Sequence, residues 1–244
     1  MSLKPYSRCG GDAYHEIVYT DKHWQMLQEL REKAAFLMST LAKFHLPAVV
    51  YGSVARGDVK VGSDVDVFVV EGGAGGGVQN SFLVEAALEQ AGVRVNSRFV
   101  VQATPLYAMK AYLEIDEGCS VSFPLMDMRR VEREFYLFGG EMGLFELKEG
   151  LRVVGVDKRL MFIEPNLGGH VESSIVGREA FVAKFLGISV ETVFDRVRAL
   201  TKRSLVGRTG VFLKKELAPQ ETFELALKRL SDFNPAIRRR IKKV

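Results

Sequence analysis

Between Val49 and Val70 the chain reads VVYGSVARGDVKVGSDVDVFVV. Ala48–Tyr51 and Val65–Val70 are apolar and β-branched and read as strands buried in a core. Asp64 and Asp66 stand two positions apart at the second strand, which sends both side chains off the same face. Two carboxylates crowded on a strand repel each other and lose hydration. A divalent cation converts that repulsion into coordination, and hard oxygen ligands suit Mg²⁺. Upstream, Gly52-Ser53 ends the first strand. There a glycine lets backbone approach a ligand, while the serine hydroxyl and adjacent N–H groups hold phosphate oxygens. Arg56 follows with a planar fork suited to the same phosphates, or as an ordinary surface arginine.

A strand, Gly-Ser, ten intervening residues and Asp-x-Asp between apolar neighbours resemble the nucleotidyltransferases of the DNA polymerase β superfamily. Ala55-Arg56-Gly57 and Ser63 are similar to its small bacterial and archaeal members, and the resemblance covers roughly residues 25–130. It implies an α+β fold, a short mixed sheet with helices on one side. It also implies that Asp64 and Asp66 hold two Mg²⁺ ions, with Gly52, Ser53 and Arg56 on the β- and γ-phosphates of an NTP, ATP by family habit. An acceptor hydroxyl then attacks the α-phosphorus and pyrophosphate leaves. The family's third carboxylate, which helps deprotonate the acceptor, has its obvious counterpart in CSVSFP (119–124), where Ser122 occupies the position. Asp116, Glu114 and Asp127 are the substitutes, and Asp116 is taken as the third catalytic residue. Each of the three also reads as a solvated strand-end carboxylate.

Around this centre the periodicity predicts a helix over 21–44, a helix over 81–91, extended segments near 97–104, 108–116 and 119–125, and a helix over 129–138. Glu117-Gly118 marks a hairpin turn. EGGAGGG (71–77) is a loop without the Gly-Lys-Ser/Thr of a phosphate loop. Glu149-Gly150 divides a nucleotidyltransferase domain, 1–149, from a second domain, 150–244. In the latter, strands are expected at 151–156, 159–164 and 171–176, with helices from 177.

Charge follows the same division: residues 1–150 sum to −5 (15 basic, 20 acidic) and residues 151–244 to +9 (19 basic, 10 acidic). A basic second part suits nucleic acid, or is simply a solvated surface. Its segment 178–200 resembles a helix-turn-helix, with Ala183 at the helix crossing, Gly187 in the turn and Ser189 capping the second helix. SLVGRTGVFL (204–213) is read as the hairpin wing of a winged helix. On that reading Ser189, Thr192, Arg196, Lys202 and Arg208 reach nucleic acid, although Glu191 and Asp195 place acid on the same helix.

Cys9 and Cys119 form no CxxC pair, and His15, His23, His45 and His170 lack metal-ligand spacing, so structural zinc is not expected. No apolar run approaches a membrane span, and the first residues lack the apolar core of a signal peptide. Together with the resemblance, these features lead us to expect a cytoplasmic Mg²⁺-dependent transferase of NMP, with a homodimer as one assembly open to it. The competing readings are a DNA-binding regulator whose nucleotidyltransferase domain senses nucleotide or is inert, and an antitoxin-like partner of another protein.

Overall fold

The computed structural model describes residues 14–70, 80–207 and 210–241. Cys9, the 71–77 glycine loop and Arg208 lie outside them. The chain begins with β1 (His15–Val18) and then α1 (Asp21–Ala42), whose start is capped by the Thr20 hydroxyl accepting from His23 N–H. Leu27, Ala34, Leu37, Met38 and Leu41 form its buried stripe. Next come β2 (Ala48–Tyr51), the single turn α2 (Ser53–Arg56), β3 (Val65–Val69) and α3 (Ser81–Gln90). After these follow β4 (Ser97–Gln102), β5 (Lys110–Asp116), β6 (Cys119–Pro124), α4 (Arg130–Gly139), β7 (Glu141–Met142) and α5 (Leu144–Lys148). The second part holds β8 (Gly155–Val156), β9 (Met161–Asn166), β10 (Gly169–Ser174), α6 (Glu179–Leu186), α7 (Val190–Val206), β11 (Leu213–Glu216), α8 (Phe223–Phe233) and α9 (Pro235–Ile241).

Seven strands form a mixed sheet in the order β11-β4-β5-β6-β3-β2-β7, in which β3 and β6 run parallel and all other neighbours antiparallel. One face carries Val65, Val67, Val121, Phe123, Leu113 and Ala111, buried in one cluster with the α1 stripe and with Val84, Ala87 and Leu88 of α3. From the C-terminal end, Phe223 of α8 meets Phe123 edge-on at 5.6 Å. The opposite face carries Asp66 and Phe68. Tyr136 of α4 covers it, stacked on Phe68 at 3.9 Å between ring centroids.

The other sheet, β1-β10-β9-β8, is antiparallel. Its Val156, Phe162 and Leu160 form a second core with Val182, Ala183, Val193 and Leu200 of α6 and α7. Of the strand expected over 151–156 only Gly155–Val156 pairs; the strands expected at 159–164 and 171–176 lie at Met161–Asn166 and Gly169–Ser174.

Two strands cross the Glu149-Gly150 turn in opposite directions. β1 joins the sheet of 155–174, and β11 joins the edge of the seven-stranded sheet beside β4. This revises the expected wing. Ser204–Val206 are the last turn of α7, and Leu213 opens a strand that pairs with β4, so among the described residues of 204–213 none pairs with another as a hairpin. The helix-turn-helix pair itself is present: Gly187 turns with φ 66°, and the Ser189 side chain caps α7.

Candidate functional site

The site grows from the end of β2 and the start of β3. Gly52 has φ 79° and ψ −145°, a conformation open to glycine, and its N–H donates to Gly140 O at 2.9 Å. Ser53 follows, its hydroxyl 3.5 Å from that of Ser63, which in turn accepts from Lys60 N–H at 2.8 Å. The loop 57–63 thus folds back beside the Gly52-Ser53 turn.

Asp64 is exposed just ahead of β3, and Asp66 is half-buried within it. Register sets Asp66 opposite Ser120 of β6, and the Ser120 hydroxyl donates to Asp66 Oδ1 at 2.9 Å. Burial pushes the Asp66 carboxyl above its ordinary value, and the charge of Asp64 adds to that rise. The Ser120 hydrogen bond and the charge of Lys158 act the other way without restoring it. Burial and the same carboxylate also push the Tyr112 phenol up to about 12, and Tyr51 is raised well above its usual value. Asp66 is therefore a poorly compensated negative charge on an aromatic-lined face.

Lys110 sits farther along this face. Its ammonium donates to Tyr136 Oη at 2.7 Å and lies 4.8 Å from that ring, and burial lowers its pKa to about 8.

The expected third carboxylate does not join the pair. Ser122 is buried opposite Phe68. Between Glu114 and Asp116 the β5–β6 register shifts, so that Glu114 faces Ser120 while Asp116 faces Cys119. That bulge turns Asp116 away from Asp66, onto the side of α1, where it is exposed and pairs with Lys33 at 3.7 Å. Glu114 stays in the row of Ser120 and Asp66, but on an exposed strand position with β6 between them. Asp127 is exposed in the loop before α4, its carbonyl accepting from Arg240. Among the described residues no group of three or more His, Cys, Asp or Glu is arranged to hold a metal.

Arg56 is a second correction. Its side chain is buried, and Nε and Nη2 make a bidentate pair with Asp58 at 3.0 and 2.9 Å. Nη1 donates to Gly139 O and, at 3.4 Å, to Val156 O. A guanidinium so committed braces the turn rather than presenting itself to phosphate.

The residues assigned to nucleic acid part company as well. Ser189 donates from its N–H and its hydroxyl, and Thr192 from its hydroxyl, to Glu134 of α4, which also pairs with Arg130. Burial would raise the Glu134 pKa, but these hydrogen bonds override it and hold the carboxyl at about 2. Arg196 lies 4.9 Å from the Phe135 ring, and its neighbour Asp195 accepts from Tyr107 Oη at 2.9 Å. The face of α7 that carries Ser189, Thr192 and Arg196 is therefore docked on α4. Lys202 remains exposed.

Residues 28–101 match the family model of the nucleotidyltransferase domain. The matched segment runs from within α1 through β4 and includes Gly52, Ser53, Asp64 and Asp66. No curated protein and no solved structure matches the chain. The mixed sheet agrees with such a domain, and the match supports a transferase. No helix among the described residues is long and apolar enough to cross a membrane.

Sequence reasoning missed Ser120 and Lys158. Ser120 was legible only through the parallel β3–β6 register, and Lys158 belongs to a different sheet.

Proposed function

We propose that the chain is a Mg²⁺-dependent nucleotidyltransferase that moves NMP, AMP by the family's habit, from an NTP to an acceptor hydroxyl. The observation that carries this reading is the half-buried Asp66 carboxylate beside Asp64 on β3, paired with the β2 strand that ends at Gly52-Ser53, inside the matched segment. Two like-charged oxygen donors, with no third such ligand grouped beside them among the described residues, suit Mg²⁺ that keeps waters and shares substrate phosphates. Asp64 and Asp66 would hold it, and the metal, when bound, stabilises charge on the attacking and leaving oxygens. Ser120 fixes the Asp66 carboxylate by donating to Oδ1. Gly52 and Ser53 offer the triphosphate a close backbone approach and a hydroxyl. In the transfer, the acceptor oxygen bonds the α-phosphorus, the bond to the bridging oxygen breaks, pyrophosphate departs and the acceptor proton passes to water.

The displacement of Asp116 and the serine at 122 favour a second reading, a domain that binds NTP and senses it without turnover. Nucleic acid remains a partner for the basic C-terminal part through Lys202 and its exposed neighbours, with the docked face of α7 set aside.

The deciding experiment measures nucleotide binding and pyrophosphate release with each NTP and Mg²⁺, in wild type, Asp64→Asn and Asp66→Asn. Metal-dependent binding and release, both lost in the variants, is expected. Binding without release selects the sensor, and unchanged release in both variants overturns the role of the two aspartates.

A further inference from the structure

Arg56 leaves the triphosphate without the cation that the sequence reserved for it, and the second sheet offers another. β8 and the residues before it pack on α2, the turn that follows Gly52, and on the end of α4. Val153 N–H donates to Ala55 O at 3.3 Å, and Val156 O accepts from Arg56. Gly155 lies so close to Gly139-Gly140 that a Cβ would come within 2.6 Å of Gly140 N, the residue whose carbonyl holds Gly52. Val156 also shares a core with Phe138 of α4, the helix that covers the Asp66 face of the large sheet. The tip of the β8–β9 hairpin is thereby set on the same side of the large sheet as Asp66.

That tip is Asp157-Lys158-Arg159-Leu160, and it is locked. Asp157 Oδ1 accepts from Arg159 N–H at 2.8 Å and Met161 N–H at 3.0 Å. Asp157 N–H donates to Met161 O at 2.9 Å, while the Arg159 guanidinium clamps both Asp157 and Glu172. Lys158, between these two fixed neighbours, is exposed and makes no hydrogen bond or ion pair among the described residues. A rigid turn that spends its other charges on its own hairpin and leaves one free ammonium exposed on the Asp66 side of the sheet is suited to meet an anion there.

We propose that Lys158 is a phosphate-binding residue of the nucleotidyltransferase site, delivered by the β8–β9 hairpin to the β- and γ-phosphates of the NTP. It takes the task that the Asp58 pair denies to Arg56. The proposal rests on the transfer reaction proposed above, and it makes the second sheet part of the binding site. An ammonium suits this position because it acts as a point charge and needs no bidentate geometry.

The test compares Mg²⁺-dependent binding of NTP and of the matching NMP by the full chain, in wild type, Lys158→Ala and Lys158→Arg. A charge-assisted contact is worth about tenfold or more in affinity, so Lys158→Ala should weaken NTP by that factor. NMP, which lacks the β- and γ-phosphates, should bind all three proteins alike, and Lys158→Arg should recover most of the NTP affinity. A merely structural role would move NTP and NMP together. Equal losses for both, or none, overturn the assignment while the transfer reading stands. If the wild type binds no nucleotide at all, that reading falls and this assignment falls with it.

Discussion

Asp66 and Glu134 are two carboxylates taken out of water in one protein, with opposite outcomes. Glu134 is surrounded by donors from Ser189, Thr192 and Arg130, and its carboxyl sits at about 2. Asp66 has one hydroxyl and a neighbouring carboxylate, and its carboxyl is raised. Burial acts in the same direction on both, so the difference lies in the number of hydrogen bonds. A saturated carboxylate joins two helices. An unsaturated one keeps acceptor capacity to spare, which is what the Mg²⁺ site proposed above would use.

Breaking the saturated site should have the largest effect. Glu134→Ala leaves the Ser189 and Thr192 donors without their acceptor and should lower stability by roughly 3 kcal/mol, read as a shift in urea midpoint at neutral pH. The sign with pH follows from the depressed pKa. The Glu134 contribution is complete above its ordinary value of 4.5 and is lost as pH falls toward about 2. Acid titration of the midpoint should show this limb in wild type and a weaker one in Glu134→Ala. Equal limbs would remove Glu134 from the account.

Asp66 should behave in the reverse sense. A raised pKa means that its charge opposes folding once pH rises above it, so Asp66→Asn should stabilise the metal-free chain at neutral pH by about 1 kcal/mol. The gain should shrink toward acid, where wild type is protonated as well. Thermal melts with and without Mg²⁺ and NTP check it: added ligand should raise the Tm of wild type alone. A loss of stability in Asp66→Asn would mean that Asp66 is a structural acceptor like Glu134.

The smallest effect belongs to Asp116. Its pair with Lys33 is exposed on the far side of the sheet, so Asp116→Asn should change stability by less than about 0.5 kcal/mol and leave pyrophosphate release unaltered. A large fall in release would bring Asp116 back to the site and erase the asymmetry drawn here.

These residues also show what the sequence can and cannot disclose. β2, β3 and the 117–118 hairpin lie where periodicity and turn chemistry place them, because each is dictated by neighbours in the chain. Asp116 went astray because a bulge inverts the strand's parity, and no residue type announces one. Arg56 was misread although its partner stands two residues away in Arg56-Gly57-Asp58; a guanidinium and a carboxylate so spaced were a legible pair. The docking of α7 depends on Glu134, far off in sequence, and an amphipathic helix offers no clue to which partner takes its polar edge. β1 and β11 were invisible for a similar reason. Four residues such as LKKE become a strand only because a sheet edge is waiting for them.

Those two edge strands tie the chain to itself like crossed laces. As the polypeptide leaves the ribosome, β1 has no partner until the β9–β10 hairpin has been made, and β4 keeps a bare edge until β11 appears. The large sheet is therefore sealed only after the smaller one. Between β4 and β10 the nascent molecule carries two sets of open backbone donors and acceptors at once, and the edge of β4 outlasts the other.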